Sequence, residues 1–137
     1  MHYSALPKWI QWTLRLVPAI ILVQSLFFKF SGAEESILLF TTIGLEPIGR
    51  IGIGIAELII AIVLLVPRTT VLGALAAAST MAGAVFFHLF TPLGIAIQLP
   101  NGESDGGGLF TMAVLVLLLS LLIVYFHRSK LPIIRKL

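Results

Sequence analysis

Cysteine is absent from the chain, which removes disulfide exchange, iron–sulfur ligation and thiol nucleophiles from the chemistry open to it. Charge is scarce as well: Asp, Glu, Lys and Arg make up 11% of the sequence, against 58% for hydrophobic residues. So few charges do not cover a water-exposed domain. Nor does the formal net charge of +3 point to nucleic acid, because such binding needs a basic face on a solvated domain. No glycine pattern for nucleotide phosphates occurs, and no His/Asp/Glu spacing suggests a metal site. The apolar run after Lys8 starts like a secretory signal, but Arg15 and Pro18 interrupt it and no small-x-small site follows, so it reads as an uncleaved first helix.

What the chain has in abundance is apolar length, with a mean hydropathy of +1.08. A helix rising ~1.5 Å per residue needs about 20 mostly apolar residues to cross a bilayer. Four stretches qualify, at about residues 9–30, 48–66, 71–90 and 109–127. The expected fold is therefore all-α: an integral membrane four-helix bundle, one domain over 1–137, with a short interfacial helix between the first and second spans. Trp9 and Trp12 open the first span at headgroup level, and Pro18 is expected to bend it. Arg15 is expected to snorkel to the near interface. The stretch from Ser31 to Gly44 opens with the Ser31-x-x-Glu34 signature of a capping box and closes on a glycine suited to a helix C-terminus. Pro47 then falls in the first turn of the second span, where its missing N–H does no harm.

Gly49, Gly52 and Gly54 in that span predict close backbone approach just above Glu57. In the third span Gly73, Ala77, Thr80 and Ala84 recur at helical spacing and read as a packing face. Pro67 to Thr70 allows only a tight turn between the second and third spans. Before the fourth, the apolar segment Leu93 to Leu99 is expected to lie in the interface or dip into the bundle, and Asn101 to Gly108 reads as polar and flexible. Basic residues sort by side. Lys8, Arg68, Arg128, Lys130, Arg135 and Lys136 fall with the two termini and the 67–70 turn, and all acids but Glu57, itself in the outer half of its span, lie at the other side. By the positive-inside rule both termini are cytoplasmic.

Against this apolar background Glu57 stands out. A charge at membrane depth costs roughly 2.5 to 3.5 kcal/mol on insertion scales, so it persists only paired, protonated or facing a polar cavity. It enters about seven residues after Arg50, roughly 10 Å deep; Gln24 lies at similar depth, and Lys29 and His88 are one to two turns shallower. Arg50, Gly54, Glu57 and Ala61 share one stripe, which turns Glu57 into the bundle. Lys29 has the reach to pair with Glu57, leaving His88 to hydrogen-bond either one. The four residues Glu57, Lys29, His88 and Gln24 are thus expected to build an outward-opening polar pocket between three helices. Taken singly, Lys29 also reads as an interfacial anchor and His88 as an interfacial histidine.

Phe28-Lys29-Phe30-Ser31-Gly32 closes the first span, and Gly49-Arg50-Ile51-Gly52-Ile53-Gly54-Ile55-Ala56-Glu57-Leu58 opens the second. With His88 near the end of the third and Asp105-Gly106-Gly107-Gly108 before the fourth, these stretches resemble the DoxX family of small four-helix membrane proteins. The resemblance implies a bacterial cytoplasmic membrane and recurrent polar positions at Lys29, Glu57 and His88. It also implies an accessory subunit of a quinone-linked redox or stress-response complex, with quinone as ligand and membrane or periplasmic redox proteins as partners beside the lipid bilayer. The chain departs from any self-sufficient oxidoreductase. It lacks cysteine, and two-histidine haem ligation is disfavoured because His127 lies at the face opposite His88. The alternative is a non-catalytic membrane scaffold or assembly factor in which the buried charges are a structural clasp. A proton or solute pathway ranks lowest, since only Ser79, Thr80 and Ser120 are polar below Glu57 in the second, third and fourth spans.

Overall fold

The computed structural model describes residues 1–131, in which every regular element is helical. The four long helices are α1 (Lys8–Ser31), α3 (Ile48–Leu65), α4 (Thr70–Phe90) and α5 (Gly108–His127), with the short α2 (Glu34–Thr42) between α1 and α3. All four long helices are long and apolar enough to cross a membrane, and their ends fall within two residues of the expected spans. Arg135 and Lys136, counted above on the cytoplasmic side, lie outside the described residues, as does the side chain of Lys130. Neighbours in the ring are α1 with α3, α3 with α4, α4 with α5, and α5 with α1. The result is a helical membrane bundle. Its outer surface carries Ile20, Phe27, Ile59, Leu72, Phe86 and Leu118, exposed side chains that suit lipid rather than water.

Each helix buries a narrow stripe. On α3 the buried residues are Gly54, Glu57, Ile60, Ala61 and Leu64, the alternation of three and four that places side chains on one helical face. Ile60, Ala61 and Leu64 meet Leu14, Ala19 and Leu22 of α1, Ala74, Ala77 and Met81 of α4, and Ala113, Val116 and Ile123 of α5 in one core. α1 runs uninterrupted through the buried Pro18. The backbones approach closely at the α3–α4 turn, where a Cβ on Gly73 would lie 2.6 Å from the Leu64 backbone nitrogen. Only glycine lets two backbones meet there. Thr69 and Thr70 close the turn by donating from their hydroxyls to the carbonyls of Val63 (2.9 Å) and Val66 (3.0 Å), the latter also accepting the Thr69 N–H (3.0 Å).

Several expectations are corrected. Ser31 is not an N-cap: it is the last residue of α1, Gly32 follows in the left-handed conformation, and α2 begins without a side-chain cap. The polar spacing was right for a box, but the glycine stops α1 one residue too late for Ser31 to serve it. Gly44 does close α2, with Leu45 N–H donating to Phe40 O (2.8 Å) and Gly44 N–H to Thr41 O (3.0 Å). Pro47 precedes α3 as its N-cap. Gly54 admits the ring of Phe30 rather than another backbone, Gly49 faces its own neighbour Leu45, and Gly52 faces open space.

Arg15 does not snorkel; it is 4% exposed. The reason is the N-terminal segment, which folds back as a 3-10 turn (Tyr3–Ala5) under that end of the bundle. Tyr3 donates its hydroxyl to Gln11 O (2.8 Å) and places its ring 4.2 Å from that of His127, while Arg15 donates to the same carbonyl (3.2 Å) and stacks on Trp12. Burial pushes the Tyr3 phenol up from its ordinary value, with the Arg15 guanidinium opposing. The 101–108 segment is not a loose tether either. Asp105 accepts hydrogen bonds from the N–H groups of Ile97 (2.7 Å), Gly107 (2.9 Å) and Leu109 (3.1 Å), tying the loop to the first turn of α5. Its apolar half dips into the bundle at Leu93 and Ile97, both buried.

Candidate functional site

Lys29 on α1 and Glu57 on α3 form an ion pair, Nζ to Oε2 at 2.8 Å, with 14% and 5% of their side chains exposed. Ser25, one turn before Lys29, joins them: its Oγ accepts from Lys29 Nζ (3.0 Å) and lies 3.0 Å from Glu57 Oε2. The serine has one proton, which Leu22 O at 2.7 Å also attracts. Ser25 and Lys29 meet Glu57 together because residues four apart share a helix face. Around the same point Arg50 draws α1 and α3 together a second way. Its guanidinium grips Glu46 one turn earlier (Nη2–Oε1 2.8 Å) and donates from Nη1 to the carbonyl oxygen of Lys29. That carbonyl sits in the last turn of α1, where backbone acceptors have no intrahelical donor and favour a cation.

His88 has a different partner from the one expected. It is 4% exposed, yet it bonds neither Glu57 nor Lys29. Its Nδ1 is 2.6 Å from Gly94 O, and its ring meets Phe110 edge to face at 5.5 Å between centroids. A carbonyl only accepts, so Nδ1 carries the proton, and in the neutral imidazole Nε2 carries a lone pair. The loop that Asp105 ties down is the loop that holds Gly94 in place. Gln24 is half-buried and points an amide N–H at Met112 Sδ on α5 (3.3 Å).

Gln24, Lys29, Glu57 and His88 nevertheless line a single cavity of about 320 Å³. It is bounded by four helices, not three, and roofed by Leu39 and Phe40 of α2. Apart from those groups and Ser25, Ser79 and Thr80, its walls are apolar: Ile21, Leu22, Ile53, Met81, Phe87, Met112 and Ala113. The small residues of α4 divide their labour along the helix. Gly73, Ala74 and Ala77 pack tightly near the turn, whereas Thr80, Gly83 and Ala84 stand back and leave the space. At Gly83 nothing lies within 4 Å of where a Cβ would be. A second cavity of about 270 Å³ adjoins the first, shares Gln24, Ser25 and Lys29 with it, and reaches Glu35 and Asp105.

Sequence reasoning missed three features here. The Ser25 bridge and the Glu46–Arg50 pair both carry a signal, the spacing of four along a helix. The Gly94 carbonyl as partner of His88 carries none, because it depends on a loop path. Among the described residues no group of three or more His, Asp or Glu side chains is placed to hold a metal ion.

The family model described as DoxX matches residues 10–89, more than half of the 137 residues. The matched stretch contains Gln24, Lys29, Glu57 and His88 and ends before the Asp105 loop and α5. No curated protein and no protein of solved structure matches the chain.

Removing one member of a buried ion pair strands the other, a change that costs about 3 to 5 kcal/mol in protein interiors. Lys29→Met is therefore expected to lose about 3 kcal/mol or more of stability, and adding Glu57→Gln to recover most of it. Unfolding of the two variants in detergent by a denaturing surfactant measures this, and a Lys29→Met protein as stable as the parent would refute the pairing.

Proposed function

The chain belongs to the DoxX family of membrane proteins, and from that premise we propose that its cavity binds a small amphiphile with a polar ring, of the quinone class, as an accessory subunit of a membrane redox or stress-response complex. One observation carries the reading: polar groups from α1, α3 and α4 converge on a single, otherwise apolar cavity. Its volume falls at the lower end of the ~300–1,000 Å³ of small-molecule sites, and convergent polar groups on an apolar wall are what such sites use to orient a ligand. Phe87 and Met112 are among its apolar walls and Lys29 and His88 among its polar groups, a lining that suits a flat ring with oxygens on its rim. In this reading the electron-transfer step itself belongs to a partner. Association with redox proteins rests on the family likeness.

The same pair supports a second reading. Lys29 and Ser25 hold Glu57 Oε2 without any ligand, as a clasp that fixes the register of α1 on α3 in a scaffold or assembly factor would. In either case the terminal end faces the cytoplasm of a bacterium and the cavity end faces outward, since Lys8, Arg68 and Arg128 gather at the former while Glu34, Glu35, Glu46, Glu103 and Asp105 lie at the latter.

Two experiments test these statements. Titration of the detergent-purified protein with tetramethyl-1,4-benzoquinone and with its hydroquinone should give saturable binding of at least one form by calorimetry. Ala84→Phe, which fills the cavity from its α4 wall, should weaken it at least tenfold with helical content unchanged. Binding of neither form leaves the clasp reading. For orientation, a fluorescent reporter that folds only in the cytoplasm should light up when fused to the C-terminus, and a dark fusion would invert the topology.

A further inference from the structure

We infer that the cavity selects the reduced, hydroxyl-bearing form of its ligand over the oxidised carbonyl form, with His88 as the specificity-determining group. The inference rests on the reading of the cavity as a quinone-class site and follows from counting which hydrogen-bonding positions are already taken.

Glu57 spends one oxygen, Oε2, on Lys29 and Ser25. Its Oε1 has no hydrogen-bond partner among the described residues. It is also absent from the fully sealed, unpartnered side-chain atoms, of which Ser120 Oγ is the sole example among the described residues. It is therefore partly exposed, on a side chain that lines the cavity. The same reasoning applies to His88. Its Nδ1 is committed to Gly94 O, its Nε2 has no partner among the described residues and is not sealed, and the ring lines the same cavity. Because Gly94 O fixes the tautomer, the neutral imidazole shows the cavity a lone pair and no proton. Thr80 adds to the acceptors: its hydroxyl proton is spent on Ala76 O (2.9 Å), leaving oxygen lone pairs.

On the donor side stand the third N–H of Lys29, whose other partners are Ser25 and Glu57, and the amide of Gln24. The cavity thus offers more acceptors than donors. A hydroquinone supplies two O–H donors to such a wall. A quinone supplies only acceptors, so it satisfies Lys29 but leaves Nε2 of His88 and Oε1 of Glu57 facing carbonyl oxygens. An acceptor that loses its donor when the ligand covers it is penalised, and sites built for a hydroxyl discriminate strongly against its absence. A cationic amine would satisfy the same acceptors, but Lys29 already neutralises Glu57, so no net negative charge calls for one.

Tetramethylhydroquinone and tetramethyl-1,4-benzoquinone have the same ring and methyl groups and differ only in the two oxygens. In mildly alkaline, anaerobic buffer the hydroquinone should bind at least about tenfold tighter than the quinone. His88→Phe should bring the two affinities together by weakening the hydroquinone alone. Should that variant fail to fold, the parent protein still reports. In 15N spectra of its histidines the hydroquinone should shift the Nε2 resonance of His88 and leave Nδ1 in place, while the quinone shifts neither. Equal affinities, or tighter binding of the quinone, would overturn the selectivity and leave the binding site standing. Binding of neither form would overturn both.

Discussion

Hydrocarbon does not tolerate a carboxylate by itself. The insertion cost of roughly 2.5 to 3.5 kcal/mol is comparable to a large fraction of a domain's net stability, so Glu57 imposes a condition on its neighbours. α1 meets it with two side chains on one face, Lys29 as counter-charge and Ser25 as bridge. α3 returns the support through Arg50, whose guanidinium sits on the last turn of α1 and holds the lysine's own backbone. The lysine is thus fixed from both ends: its ammonium by Glu57 and its carbonyl by Arg50. Long flexible side chains lose entropy on pairing, and part of that loss is already met by the helix end that Arg50 anchors.

Packing and polarity then become complementary uses of the same small residues. Where glycine and alanine meet at the α3–α4 turn, the helices close on each other, with Gly73 against the Leu64 backbone. Two turns further on, Thr80, Gly83 and Ala84 face no such partner, and the residual volume is the cavity that holds Glu57, Lys29, Gln24 and His88. The roof is α2, too short to span and bounded by left-handed glycines at 32 and 44. Asp105 completes the arrangement from the far side by holding the loop whose carbonyl orients His88.

Much of this was legible in the chain. Apolar length marked all four long helices, and the stripe through Arg50, Gly54, Glu57 and Ala61 turned Glu57 inward because helical periodicity depends on nothing outside the helix. Lys29 was reachable by the same logic, since depth follows from residue count. What failed were inferences that need the path of a loop or a terminus. Periodicity places Arg15 at the interface because nothing in the first span reveals that Tyr3 folds back onto Gln11 beside it. Residue chemistry alone draws His88 to the ion pair, because its true partner is a backbone carbonyl, and every residue has one of those. The capping box at Ser31 failed for a local reason: a glycine ending one helix competed with a serine suited to start the next, and the left-handed turn won.

The central claim is that Lys29 and Glu57 touch within the membrane. Solid-state NMR on the protein in lipid bilayers, labelled with 15N at lysine Nζ and 13C at the glutamate carboxyl, measures this directly, with Glu57→Gln identifying the signal. The account predicts a strong dipolar coupling, as a 2.8 Å contact between Nζ and Oε2 requires. A Glu57 carboxyl uncoupled from Lys29 and facing lipid would contradict it.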